Sequence, residues 1–102
     1  MKTLLIAAAL VVSTTSALAA TPDELMNKAG CLACHAKDKK VIGPAYKDVA
    51  AKYKGQDVTA NLMEKVRKGG SGVWGPIPMS PNGPDKISDA DLKAVVEAIL
   101  KT

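Results

Sequence analysis

Both cysteines and the only histidine of this 102-residue chain fall within five consecutive positions, Cys31 to His35. The segment reads CLACH. It constrains the fold most because it places every cysteine and histidine that could bind a metal or cofactor in one short segment. Three kinds of site use such a segment: a structural metal site, a redox-active dithiol and an attachment site for a prosthetic group.

The first twenty residues have the layout of a secretory signal peptide. Lys2 is followed by an apolar run of about nine residues and then by small residues around Ala17-Leu18-Ala19. A membrane span needs about 20 apolar residues, so this run is too short to be one. We predict cleavage after Ala19 or Ala20, an exported soluble chain without stable membrane insertion, and one domain over residues 21–102.

The composition of residues 21–102 favours a domain that binds a cofactor. These residues include no Phe, and their aromatic residues are Tyr46, Tyr53 and Trp74. Domains below about 70–80 residues rarely bury enough apolar area alone, and this one is only slightly longer. Removing Lys2 leaves 13 basic residues against 10 acidic ones, a net charge of +3. This net charge is modest, and the basic and acidic residues are interspersed along the chain. The charge pattern therefore does not indicate nucleic-acid binding.

Apolar residues recurring at helical spacing predict an all-α architecture of about four helices. The helices are expected from Thr21 to about Gly30, within residues 45–55, from about Val58 to Lys68, and from Ser88 to Lys101. Residues 69–84 separate the last two, and nine of these sixteen residues are Gly or Pro. We expect no regular structure there, but an ordered loop with a function, since disordered segments lack large apolar residues.

The C-x-x-C-H spacing is the attachment signature of c-type haem. On a helical turn, Cys31 and Cys34 can reach the two vinyl groups of one porphyrin as thioethers, which leaves His35 beneath the iron as an axial ligand. A structural zinc site would need four ligands. A disulfide across so short a loop would stabilise little. A haem-free thiol oxidoreductase stays open as an alternative, although no βαβ context for it is visible.

The other axial ligand has few candidates. A second histidine does not exist, and the initiator methionine leaves with the leader. Met26 and Met63 fall on apolar helical faces, where methionine is usually a core residue. Met79 stands among prolines in the loop, and its thioether would raise the haem potential. A methionine that only packs on Trp74 remains the alternative.

Three segments, CLACH, IGPAYKDVAAKY and GVWGPIPMSPN, resemble in order and spacing the short bacterial class I cytochromes c. That family consists of single-haem periplasmic carriers that serve nitrite reductases and terminal oxidases. The resemblance implies a class I cytochrome c fold around one haem c, with a Gly/Pro-rich methionine loop. It also implies thioether links at Cys31 and Cys34, with His35 and Met79 as axial ligands.

Three further roles are implied by the resemblance. Pro44 would offer its carbonyl oxygen to the second nitrogen of the histidine, Trp74 would donate its indole N–H to a haem propionate, and Asn82 would hydrogen-bond near the methionine sulfur. Two departures are visible. Met-Ser-Pro stands where many relatives have Met-Pro-Pro, and Lys65 stands where some carry an arginine near a propionate.

The leading hypothesis is a monomeric periplasmic one-electron carrier, not an enzyme. Its partners would be an upstream donor and acceptors such as nitrite reductase or a terminal oxidase. The alternative is a haem protein with a labile sixth ligand that binds small ligands or has peroxidase activity, which requires that Met79 does not ligate. A group of lysines near the attachment segment could steer docking to acidic partners or could be ordinary solvated residues: Lys28, Lys37, Lys39, Lys40 and Lys47.

Overall fold

The structure is a computed structural model, and it describes residues 4–13 and 20–102. Residues 4–13 form no helix or strand, and their side chains are exposed. The predicted cleavage after Ala19, together with the small residues before it, lies outside the described residues. Across the described ranges, no helix has the length and apolar character needed to cross a membrane.

The described part of the chain contains the four predicted helices in the predicted order. They are α1 (Pro22–Ala29), α2 (Tyr46–Lys52), α3 (Thr59–Lys68) and α4 (Asp89–Leu100). The α2 helix ends earlier than its apolar spacing suggested, because Tyr53 is its C-terminal cap.

Side-chain caps fix the starts of the first and last helices. The Thr21 hydroxyl accepts a hydrogen bond of 3.3 Å from the Glu24 N–H, and Pro22 occupies the first helical turn. At α4, the Ser88 hydroxyl accepts a 3.2 Å hydrogen bond from the Asp91 N–H. These contacts define where the helices flanking the functional segments begin.

The core forms around α4, which packs against α1, α2 and α3. Its buried side chains come from α1, α2, α4 and the residue just before α4: Met26, Tyr46, Ile87, Leu92, Val95 and Val96. Met63 packs against this cluster as well. Met26 and Met63 are therefore core residues, as their positions on apolar faces predicted.

A β-hairpin follows α3, which the sequence did not predict. Strands β1 (Gly70–Gly72) and β2 (Gly75–Met79) pair antiparallel, with an irregular register between the Gly70–Met79 and Gly72–Gly75 pairs. The expectation of no regular structure was therefore wrong over residues 70–79. Prolines fit in β2 because each strand of a two-stranded sheet has one unpaired edge, where a missing N–H costs nothing. The sheet is small, and the domain remains mainly helical.

Candidate functional site

The CLACH segment forms one tight turn directly after α1. Cys31–Ala33 is a 3₁₀ turn, entered through Gly30 with φ 84°. The N–H groups of Cys34 and His35 both donate to the Cys31 carbonyl, at 3.2 and 3.0 Å. Both thiols are unpaired, with Cys31 half-buried and Cys34 exposed. Two cysteines on one turn with free thiols are what thioether formation to a single porphyrin requires.

The loop after CLACH folds back and fixes the histidine tautomer. The N–H groups of Ile42 and Gly43 donate to the Cys34 carbonyl at 3.1 and 2.7 Å. This brings the Pro44 carbonyl oxygen to 2.8 Å from His35 Nδ1. Because a carbonyl oxygen can only accept, Nδ1 must carry the hydrogen in this contact, and Nε2 keeps a free lone pair. The resemblance implied this Pro44 contact, and the structure contains it.

Two further neighbours restrict the imidazole, and the sequence did not assign either of them. The His35 ring stacks on Tyr46, with centroids 5.1 Å apart and planes inclined by 18°. Gly43 also lies against the His35 ring. A Cβ added at Gly43 would overlap Cε1 and would lie 2.8 Å from Nδ1 and 2.9 Å from Nε2. Burial raises the pKa of the Tyr46 phenol far above its usual value and also raises the pKa of the Cys31 thiol.

Met79 ends β2 and is held close to the end of α3. Gly69, the C-terminal cap of α3, has φ 67°. A Cβ at Gly69 would meet the Met79 carbonyl oxygen and would lie 2.9 Å from both the Ser80 carbonyl carbon and the Pro81 nitrogen. Glycine is therefore required at position 69 for two reasons, its backbone conformation and the close approach of another backbone segment.

Asn82 fixes the backbone that follows Met79. Its N–H donates to the Val66 carbonyl at 3.0 Å, and its side-chain amide donates to the carbonyls of Ser80 at 3.0 Å and Val66 at 3.5 Å. The resemblance implied a hydrogen bond from Asn82 near the Met79 sulfur, and the amide donates to the carbonyl of Ser80, the residue directly after Met79. The Ser80 carbonyl lies two residues back and is a stronger acceptor than a thioether, so the amide binds there.

Arg67 connects the same segment to the start of α4, and no role was predicted for this residue from the sequence. Nη1 donates to the carbonyl oxygens of Asn82 at 3.2 Å and Ile87 at 2.7 Å, and Nη2 contacts Asp89 Oδ1 at 2.6 Å. The partners lie 15 to 22 residues away along the chain. No local pattern could have indicated the pairing.

Trp74 lies at the hairpin turn, 42% exposed, with cations nearby. Lys52 Nζ is 5.7 Å from the centroid of the Trp74 ring and 5.8 Å from that of Tyr53. Lys65 Nζ lies 3.3 Å from the position that a Cβ on Gly70 would occupy, so it reaches β1. The hairpin therefore contains the indole donor of Trp74, and the ammonium groups of Lys52 and Lys65 lie near it.

The large exposed apolar side chains of residues 20–102 lie in the attachment segment, the loop after it, or the hairpin. They are Leu32, Val41, Ile42, Val73, Trp74 and Ile77. Exposed large apolar side chains often belong to binding sites. The free thiols, the imidazole with its available Nε2 lone pair and the thioether are the kinds of group that haem c uses for attachment and ligation.

Comparisons with known proteins agree with this chemistry. The profile of the family described as Cytochrome c matches residues 19–102. The chain is 55% identical over 84 residues to a cytochrome c2 of Rubrivivax gelatinosus, covering 81% of this chain and 99% of the relative. It is 47% identical over 85 residues to a cytochrome c-551 of Pseudomonas aeruginosa, covering 82% of this chain and 79% of the relative.

Solved structures show the same fold. The crystal structure of wild-type Nitrosomonas europaea cytochrome c552 matches with a TM-score of 0.70 at 49% identity, covering 78% of this chain and 96% of that one. The class 1 cytochrome MtoD of Sideroxydans lithotrophicus matches with a TM-score of 0.67 at 30% identity, covering 78% of this chain and 90% of that one. The chain therefore belongs to the cytochrome c family, and it is a haem c electron carrier of the small bacterial class I type, with one haem attached covalently.

Proposed function

We propose that this cytochrome is a periplasmic one-electron carrier in which the haem c attached at Cys31 and Cys34 has His35 and Met79 as axial ligands. The haem supplies a ferric–ferrous couple when bound. The observation that carries the proposal is the 2.8 Å contact between His35 Nδ1 and the Pro44 carbonyl oxygen. A partner on one ring nitrogen fixes the tautomer and raises the basicity of the other, and metal-binding histidines almost always have such a partner.

Met79 is the proposed ligand on the opposite side. Its half-buried side chain ends β2, and its carbonyl oxygen lies against Gly69, which restricts where the residue can move. A thioether opposite an imidazole raises the potential of the haem. If His35 and Met79 both bind the iron of the haem, no position at the metal would remain for a substrate. The arrangement therefore suits electron transfer better than catalysis.

Three other residues complete the proposed haem site. Pro44 orients the imidazole through its carbonyl, and Asn82 orients the backbone after Met79 through the Ser80 carbonyl. Trp74 would donate its indole N–H to a propionate of the haem. The ammonium groups of Lys52, near the indole ring, and Lys65, near β1, favour a carboxylate in that region.

Export and domain boundaries are part of the same proposal. The family profile begins to match at residue 19, and the Rubrivivax relative aligns over 99% of its own length with only 81% of this chain. Both observations support a cleaved leader over residues 1–20 and a monohaem domain over residues 21–102. A periplasmic location follows from such a leader.

The proposed partners are redox proteins: an upstream donor and acceptors such as nitrite reductase or a terminal oxidase. Electron-transfer encounters are small and short-lived, which a monomer with a modest positive charge suits. Of the lysines near the attachment segment, Lys37 already pairs with Asp23 at 2.8 Å. The exposed Lys28, Lys39, Lys40 and Lys47 are therefore better candidates for attracting an acidic partner.

The test is Met79→Ala in the holoprotein, with Met63→Leu as the matched control because Met63 packs against the core. Met79→Ala should lower the reduction potential, remove the weak far-red sulfur-to-iron band and let the ferrous protein bind carbon monoxide rapidly. Met63→Leu should keep all three wild-type properties. An unchanged band and potential in Met79→Ala would refute the ligand assignment. Rapid carbon monoxide binding by the wild type would instead favour a ligand-binding protein.

A further inference from the structure

We propose that Arg67 is a positioning residue that keeps Met79 in place by immobilising the segment after it. The inference rests on the proposed ligation by Met79 and deepens it. The residues concerned are Arg67 and the three groups that its guanidinium contacts, on Asn82, Ile87 and Asp89, and we refer to them as the Arg67 cluster.

The guanidinium of Arg67 is placed to hold both ends of the segment from Asn82 to Ile87. One nitrogen donates to both carbonyl oxygens, at 3.2 Å for Asn82 and 2.7 Å for Ile87, and the side chain is only 18% exposed. Hydrogen bonds from a charged donor are about twice as strong as neutral ones, and burial shields them from competing water. The third contact, with Asp89, contributes less because that carboxylate is 85% exposed.

Only two residues, Ser80 and Pro81, separate Met79 from the Arg67 cluster. Asn82 connects the two, because its own N–H donates to Val66 on α3 and its amide donates to the Ser80 carbonyl. So short a connection has little slack. Met79 can be displaced by rotation of its side chain or together with its backbone, and the second kind of motion breaks bonds of the Arg67 cluster.

Loss of the Arg67 bonds should therefore favour an open form in which Met79 is displaced. An external ligand that competes with Met79 binds only to this open form, so its apparent affinity rises in proportion to the open fraction. A general loss of stability has no such effect, provided that the damage lies elsewhere in the core. Competition by a small ligand thus separates positioning from ordinary structural support.

The experiment titrates the ferric holoprotein with imidazole and follows the far-red band. Arg67→Met keeps the apolar stem and removes the donors, and we expect imidazole to bind about tenfold more tightly. Arg67→Lys keeps the charge but can donate to fewer acceptors. Its affinity for imidazole should therefore lie between those of the wild type and Arg67→Met. Lys68→Met is the matched control: Lys68 is exposed and its ion pair with Glu64 lies within α3, so the wild-type affinity should be kept.

Two further measurements guard against an indirect effect. Hydrogen exchange of the Asn82 N–H, which donates to Val66, should become about tenfold faster in Arg67→Met. Val95→Ala removes buried core volume away from the Arg67 cluster; it should lower the denaturant midpoint without tightening imidazole binding.

Wild-type imidazole affinity and wild-type exchange at Asn82 in both Arg67 variants would overturn the inference. So would a Val95→Ala protein that binds imidazole as tightly as Arg67→Met. Failure of the ligand assignment is distinguishable from either result. In that case Met79→Ala itself would keep the far-red band and the wild-type imidazole affinity, and the role of Arg67 would fall with it.

Discussion

The two sides of the haem site are held in different ways. On the histidine side, the contacts of His35 come from Gly43, Pro44 and Tyr46, all within eleven residues along the chain. On the methionine side, the contacts that hold Met79 and the segment after it run from α3 across 10 to 22 residues. One side is built by a local loop, and the other depends on tertiary packing.

This difference has consequences for stability. Local contacts persist as long as their own loop stays folded, whereas long-range contacts are lost whenever any connecting segment opens. Proteins open locally with free energies that range from near zero up to the global value. We therefore expect the methionine side to open first, with the histidine side intact. Changes at Gly69, Gly43 and Tyr46 can test that order, and their expected effects decrease in this sequence.

The largest effect is expected from Gly69→Ala on the methionine side. The new Cβ would meet backbone atoms of Met79, Ser80 and Pro81, which cannot rotate away as a side chain can. The positive φ adds strain of its own. Together these should lower the free energy of unfolding by roughly 3 kcal/mol or more. Chemical denaturation measures this loss, and the far-red band should disappear while the thioether links remain.

Gly72→Ala is the matched control for this variant. Gly72 also has a positive φ, of 120°, but an added Cβ would find open space there. Its cost should be the conformational strain alone, about 1 kcal/mol, and its far-red band should persist. Equal losses in the two variants would mean that the close approach of Gly69 to the methionine segment contributes nothing.

A smaller effect is expected from Gly43→Ala on the histidine side. The backbone there has no positive φ, so the only cost is the overlap with the imidazole ring. The ring has to shift, which weakens its contact with Pro44, and we expect a loss of about 2 kcal/mol. The far-red band should persist, since Met79 is untouched, while the NMR shifts of the imidazole ring should move.

Gly83→Ala provides the comparison, because its Cβ would also meet a side chain at an ordinary φ. That side chain is Asp85, which is exposed and free to turn aside. We expect a change within about 0.5 kcal/mol. If Gly43→Ala changes the free energy of unfolding as little as Gly83→Ala does, then the imidazole is less tightly restricted than its three neighbours indicate.

The histidine side could be predicted largely from the sequence. The order of helices, the Thr21 and Ser88 caps and the turn at Cys31 all rest on local rules, and the structure contains them. The Pro44 contact needed the family resemblance, although it also lies close in sequence. Stacking of Tyr46 on the imidazole was not predicted from the sequence, and the same residue is also part of the buried core.

The methionine side could be predicted only in part. Its Gly/Pro-rich composition marked residues 69–84 as unusual but suggested no regular structure, and pairing between two short strands depends on register and not on composition. The partners of Arg67 are backbone carbonyls, which no side-chain pattern reveals. The hydrogen bond expected from Asn82 near the methionine sulfur was implied only by the family resemblance, and the acceptor of its amide, the Ser80 carbonyl, could not be read from the sequence.

The smallest effect concerns Tyr46 and alkaline pH. The phenol is 4% exposed, and burial raises its pKa above the ordinary value of 10.0. Above pH 10 the unfolded chain therefore releases this proton while the folded protein keeps it. Because the unfolded state then binds fewer protons, the free energy of unfolding falls as pH rises, by at most about 1.4 kcal/mol per pH unit. Below pH 10 the phenol contributes no pH dependence.

Tyr46→Phe keeps the ring that stacks on His35 and removes the ionisable group, so its stability should decline less steeply than that of the wild type above pH 10. Val96→Ala, a buried change without a titrating group, should lower the whole curve and keep the wild-type slope. Chemical denaturation at a series of pH values measures the free energy of unfolding of the wild type, Tyr46→Phe and Val96→Ala. If Tyr46→Phe follows the wild-type slope, then other groups cause the alkaline loss. If it declines less while keeping its far-red band at neutral pH, the ring alone is enough to support the imidazole, and the histidine side keeps its local contacts without the hydroxyl.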